Sequence, residues 1–221
     1  MNEAPDLPDL PDAPDALSKA VQSGKISHFD ALHRASADPW GVHQRWYEER
    51  KRDLLLAALP RRHYRQGFEP GCSVGGNSRA LAERCDSLTI SDASQVALDL
   101  ARANLADLAS VRLEHWRFPE QWPDAPCDLV VIAEFGYYLD EDAVDRFLAL
   151  APGKLADEGH LVMCHWRQPI PDAVMNGDSL HALAHERFGN RLLHVGGWCD
   201  TDVRIDVWQR GGDPSVHQAG A

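Results

Sequence analysis

The first chemical signal is a short run from Glu69 to Gly75, E-P-G-C-S-V-G, with the spacing E-x-G-x-S-x-G. Small residues at Gly71, Ser73 and Gly75 let the backbone approach a ligand closely and enter a helix sharply. The run has neither the G-x-G-x-x-G form of a dinucleotide fold nor the G-K-[ST] of a phosphate loop. Glu69 stands just ahead of the glycines, where a carboxylate repels a pyrophosphate and suits an ammonium. Asp92 follows 23 positions later, at a strand end where a carboxylate can accept both hydroxyls of a ribose. The pair implies a ligand with a ribose and an ammonium but no phosphate.

Further reactive groups fall at other predicted strand ends. These are His115, Trp116 and Arg117; Glu134, Phe135, Gly136, Tyr137 and Tyr138; and His165 with Trp166. His165 is the candidate base, because an imidazole titrates near neutrality. Glu134 can take a direct catalytic part by holding a cationic amine. Tyr137, Tyr138 and Trp166 are expected to contact an acceptor. Asp178 and His181, after Asn176-Gly177, can reach over the cleft from the start of a helix, where Asp178 can alternatively serve as an N-cap. His181 and His185 are four apart with Glu186 beside them, a spacing that can bind zinc. No third ligand accompanies them at a motif spacing, so no metal site is expected.

Positioning these groups requires an alternating chain. Predicted strands at 67–69, 88–90, 111–113, 128–133 and 160–164 alternate with helices at 77–85, 95–108 and 143–151. Such βα units make a mainly parallel sheet covered on both faces, with ligands outside the carboxyl ends of the strands. Residues 128–133 are continuously apolar, as suits a strand buried on both faces. After a helix over 181–188, runs at 191–195 and 203–208 are joined too closely for a crossover. They must pair as an antiparallel hairpin. Upstream, Ser27 is expected to cap a helix to Ser36. A second helix, carrying Trp46, Tyr47 and several leucines, runs to Pro60, with Glu48 to Arg52 as its polar face.

The 221 residues fit one domain with extensions. A formal charge of −12 argues against a nucleic-acid partner, which needs a basic face. No run approaches the roughly 18–20 apolar residues of a membrane span. Five scattered cysteines without C-x-x-C argue for a reducing cytoplasm over a disulfide framework. Residues 4–16 repeat Pro-Asp about every third position and are expected to be extended or disordered.

Beyond the glycine run, three further segments are informative. These are Asp38-Pro39-Trp40-Gly41 with the Trp46–Arg52 stretch, Phe118-Pro119-Glu120-Gln121-Trp122-Pro123, and Asp128 to Leu139. Together with Gly67–Gly75, their order and spacing resemble class I S-adenosylmethionine-dependent methyltransferases, and more narrowly the nodulation protein S group. The resemblance implies a Rossmann-like α/β fold, with a seven-stranded, mainly parallel sheet and a C-terminal hairpin. It implies S-adenosylmethionine as cofactor. Glu69, Gly71, Cys72, Ser73 and Gly75 would cradle its methionine part, Asp92 with Ala93 its ribose, and Trp116 and Arg117 its adenine. Glu134 would lie beside the sulfonium, and Trp46 and Tyr47 on a lid. It further implies methyl transfer; the shared motifs do not specify the acceptor, and a small amine such as an amino sugar is the first expectation. A hydroxyl acceptor and a non-catalytic cofactor-binding protein stand as alternatives. Ser73 occupies the middle glycine of the general pattern. The expected organisation is a disordered tail over 1–17, a helical lid over 18–60, a methyltransferase domain over 61–212 and a flexible end over 213–221. A monomer or homodimer is expected.

Overall fold

A computed structural model describes residues 14–211. Most of the acidic tail, and the C-terminal end from 212, lie outside the described residues. The first element is helix α1 (Pro14–Ala35), which includes the last four residues of the expected tail. It runs through Ser27 without a break, so Ser27 does not cap a helix as expected. Helix α2 (Trp46–Ala58) follows the Asp38–Gly41 turn. In that turn the Asp38 carboxylate accepts the backbone N–H groups of Val42 and His43.

The alternating region then unfolds in the expected order. Strand β1 (Tyr64–Pro70), the short helix α3 (Ser78–Ala82), β2 (Cys85–Asp92), α4 (Gln95–Asn104) and β3 (Val111–His115) make its first half. Strand β4 (Cys127–Ala133), α5 (Glu141–Lys154) and β5 (Leu155–Trp166) make the second. Helix α6 (Gly177–Phe188) leads to the hairpin β6 (Leu193–Cys199) and β7 (Val203–Gln209). The sheet order is β3-β2-β1-β4-β5-β7-β6. The first five strands pair in parallel, and β7 is antiparallel to both β5 and β6. Ser94, Asp140 and Asn176 cap α4, α5 and α6 through their side-chain oxygens. Asn176 thus takes the capping role the sequence offered to Asp178.

All seven residues of β4 are buried. Leu129, Val131 and Ala133 face one core, beneath α2, α3 and α4, while Val130 and Ile132 face the other, beneath α5 and α6. The second core is closed by Phe68, Phe147, Phe188 and Trp208. Burying both faces fixes the sheet rigidly, so the residues at its carboxyl edge are held to one geometry.

Candidate active site

The carboxyl ends of the parallel strands open into a cavity of about 910 Å³, within the range of small-molecule and cofactor sites. Helices α1 and α2 roof it. Its wall carries Gly71 and Ser73 after β1, Asp92 and Ala93 at the end of β2, Trp116 and Arg117 after β3, Glu134 after β4, and Trp166 at the end of β5. Tyr47, Tyr137 and Tyr138 also line it. These are eleven of the residues singled out from sequence, drawn from six separate segments.

The glycine turn is built for close approach. Gly71 has φ +68, and a Cβ there would lie 2.5 Å from the Phe135 ring. Ser73 has φ +51, a left-handed conformation that costs a non-glycine residue on the order of 1 kcal/mol. It is held by its own N–H, which donates to Asp92 Oδ2 at 2.9 Å. Asp92 Oδ1 accepts from Ser94 N at 2.8 Å, so the carboxylate is fixed in orientation while still facing the cavity. His33 on α1 closes this side; its Nδ1 is buried without a protein partner. A pocket with an oriented carboxylate, a backbone turn stripped of side chains and flanking indoles fits an uncharged ribose and adenine.

Glu134 forms the centre of the opposite side. It is a non-glycine residue with φ +59, a conformation that recurs where surrounding contacts over-determine a functional side chain. Oε1 accepts from Tyr47 Oη at 2.9 Å and pairs with Lys51 Nζ at 3.3 Å. Oε2 accepts from Trp166 N at 3.1 Å and from Tyr137 Oη. Lys51 in turn donates to Glu48 Oε2 at 2.6 Å. Burial pulls the Lys51 pKa down, but Glu134 and Glu48 outweigh it and leave the ammonium more strongly protonated than usual. Burial, reinforced by Glu134, pushes both the Tyr47 and Tyr137 phenols far above their ordinary range. Within this cluster two carboxylates share one ammonium, while Lys25, which donates to Tyr138 O, and Asp172 stand farther along the same wall. Glu48 and Lys51 were read from sequence as part of an exposed polar face. They are buried because α2 lies over the cavity with that face inward. The signal that could have exposed them is the spacing of Tyr47, Glu48 and Lys51 on one side of a helix.

Several expected site residues stand elsewhere. Trp46 is 69% exposed at the start of α2, and only its neighbour Tyr47 turns inward. Glu69 is buried behind the turn and accepts from Ser78 Oγ at 2.5 Å. It therefore braces the entry to α3 and does not line the cavity. Cys72 is buried, contributing its N–H to Ser91 O, and Gly75 is packed against Leu105. Asp178 is paired with Arg167 on the surface, which holds its carboxyl below the usual range. His165 is wholly buried, and its Nδ1 lies 3.0 Å from Nε2 of the equally buried His181. Burial pushes the His165 pKa well down. Its ring stacks edge-on behind Tyr137 and is not on the cavity wall. The expectation that His165 is the base fails on this placement. Neighbours on a strand point to opposite faces, and at the end of β5 it is Trp166 that faces the cavity.

Residues 68–159 match the model of a family described as "Methyltransferase domain". The chain is 28% identical over 142 residues to nodulation protein S from Sinorhizobium fredii, covering 62% of this chain and 66% of that relative. It thus spans just under two thirds of that curated relative. It is 43% identical to the crystal structure of "a putative Methyltransferase from Pseudomonas syringae", with a TM-score of 0.66, covering 75% of this chain and all of that one. The chain belongs to the class I S-adenosylmethionine-dependent methyltransferases. Within that family this methyltransferase is NodS-like. The N-methyltransferase NodS from Bradyrhizobium japonicum WM9, solved with S-adenosylhomocysteine, shares its fold at 24% identity and a TM-score of 0.71, covering 83% of this chain and 98% of that one. Among the described residues, no helix is long and apolar enough to cross a membrane.

Proposed function

We propose that this methyltransferase transfers a methyl group from S-adenosylmethionine to the nitrogen of a small amine, an amino sugar being the first candidate. When bound, the cofactor supplies an electrophilic methyl on a positively charged sulfur. Gly71, Ser73, Asp92, Ala93, Trp116 and Arg117 would hold it. Glu134, Tyr47, Tyr137, Tyr138 and Trp166 would form the acceptor end.

The single observation that carries the choice of an amine is the cluster around Glu134, in which two carboxylates share one ammonium. With the cofactor bound, its methyl would pass to a neutral amine, the sulfur would leave as an uncharged thioether, and the acceptor nitrogen would take on the positive charge beside Glu134. The extra proton then leaves the product ammonium for solvent. A fixed carboxylate beside the nitrogen stabilises that developing charge without moving. A hydroxyl acceptor would instead have to lose a proton as it attacks, which calls for a base. The phenols bonded to Glu134 are held firmly protonated and His165 lies off the cavity wall, so neither of these supplies that base. The aromatic walls exclude water and align the acceptor. The likeness to nodulation protein S and to the N-methyltransferase NodS favours the same reading. A reducing, cytoplasmic setting suits the free thiols of all five cysteines.

The test is a methyl-transfer assay on a panel of deacetylated amino sugars, small amines and matched alcohols, with the methylated atom located by mass spectrometry. Methylation on nitrogen supports the reading. Methylation confined to oxygen, or cofactor binding with no turnover on any member, overturns it.

A further inference from the structure

A second set of ligating groups lies away from the cavity, where α6 packs against the closing hairpin. His185 stands on α6, His194 on β6 and Asp206 on β7. The Nε2 atoms of His185 and His194 lie 3.3 and 2.8 Å from the same oxygen, Oδ1 of Asp206. One donor atom from each of the three residues falls within 4.8 Å of the others. The other carboxylate oxygen is engaged from behind, with His181 Nδ1 and Arg204 Nε each 2.7 Å from Oδ2. Burial opposes the charge on Asp206, but these two hydrogen bonds overcome it and keep the carboxyl well below its ordinary range.

We infer that His185, His194 and Asp206 form a zinc site that clips α6 to the β6–β7 hairpin, separate from the methyl-transfer cavity. Two imidazoles and one carboxylate are zinc donors, and a water would complete a tetrahedron. The same set disfavours magnesium and calcium, which take all-oxygen shells. Zinc bonds of 2.0–2.1 Å separate neighbouring tetrahedral ligands by roughly 3.3 Å. The two observed nitrogen–oxygen distances are already within about half an ångström of that. The two imidazole nitrogens, within 4.8 Å of each other, must draw together on rotation of the partly exposed side chains to admit an ion. His181 and Arg204 orient the carboxylate as outer-shell partners do in metal sites. Arg204 also opposes a cation electrostatically, so binding is weaker than at a cysteine-based site. Entry is open, because the His185 and His194 side chains are partly exposed, at 35% and 40%. In the sequence, the His181–His185 pair stood without a third ligand. The fold keeps His185, turns His181 to the back of Asp206 and brings in His194 from the hairpin.

Trp208 supplies a reporter, with its ring 4.9 Å from His185 and 5.6 Å from His194. Tag-free protein stripped with a chelator should be titrated with ZnCl2 by calorimetry and with CoCl2 by absorption and by tryptophan fluorescence, with Trp208→Phe identifying the Trp208 share of the signal. Expected are one ion per chain, a rise in Tm with zinc but not with MgCl2, tetrahedral cobalt bands and quenched emission. His194→Ala and His185→Ala should each weaken zinc binding by about tenfold or more. Either variant alone decides the matter if the other fails to fold. Affinity for S-adenosylhomocysteine should be the same in both as in wild type. Absence of saturable zinc binding, an equal Tm rise with magnesium, or unchanged zinc affinity in the folded variants would overturn the site.

Discussion

Tyr47 donates its phenol hydrogen to Glu134 Oε1 across 2.9 Å, and this one contact couples the roof helix α2 to the tip of the central strand β4. The same Tyr47 ring meets Trp166 edge-on at 4.6 Å, so the end of β5 is tied to the roof as well. This end of the cavity is thus a single interlocked unit.

Tyr47→Phe deletes the donor and keeps the ring. Glu134 then loses one of the contacts that fix its carboxylate, and a hydrogen bond to a charged group is worth about 1.5–3 kcal/mol. Turnover should fall roughly tenfold or more, with cofactor affinity nearly unchanged. Steady-state kinetics beside calorimetry with S-adenosylhomocysteine checks this. A loss confined to cofactor affinity would place Tyr47 in a different role.

Lys51→Met should destabilise the fold by about 3–5 kcal/mol, because removing one partner of a buried ion pair leaves the others uncompensated. Glu48, 2.6 Å from the ammonium, and Glu134 would then face each other without a counterion. Denaturant unfolding measures the loss. A change under about 1 kcal/mol would show that the pairing is solvated in solution.

Gly71→Ala tests the turn. The φ of +68 and the 2.5 Å approach to Phe135 together strain any Cβ. A loss of about 1–3 kcal/mol in stability is expected, along with much weaker binding of S-adenosylhomocysteine, read by thermal unfolding and calorimetry. Asp92→Ala should weaken that binding at least about tenfold.

The buried Glu69 makes stability depend on pH. Burial pushes its carboxyl up to about 7 from an ordinary value of 4.5, against the bond from Ser78. The folded chain therefore holds a proton that the unfolded chain has released between those values. The stability this group contributes is complete below about pH 4.5 and is lost as pH rises through about 7. Glu69→Gln removes the titration. Between about pH 5 and about pH 8, the Tm of wild type without ligand should fall relative to that of the variant. Parallel curves would contradict the assignment.

Much of this was legible in the sequence for physical reasons. The unbroken apolar run of β4 could only be a strand buried on both faces. The connection from 195 to 203 was too short for a crossover, and β6 and β7 do pair antiparallel. Asp92 and Glu134 reach the cavity because it opens at the strand carboxyl ends, where the sequence put them. What escaped was direction. Trp46 and Tyr47 are adjacent, but one helical step turns the first to solvent. His165 and Trp166 are adjacent, but the pleat turns only the second to the cavity. Glu48 and Lys51 look solvated by composition, and burial came from a roof that residue types alone do not reveal. His194 and Asp206 join His185 only through the hairpin, so no local spacing marks them.

Glu134→Gln gives the most direct test that the charge at this carboxylate drives methyl transfer to an amine. The substitution keeps shape and acceptor capacity but removes the charge. With an accepted amine substrate, kcat should fall about a hundredfold, while affinity for S-adenosylhomocysteine should stay within about twofold of wild type. An undiminished kcat would contradict the account.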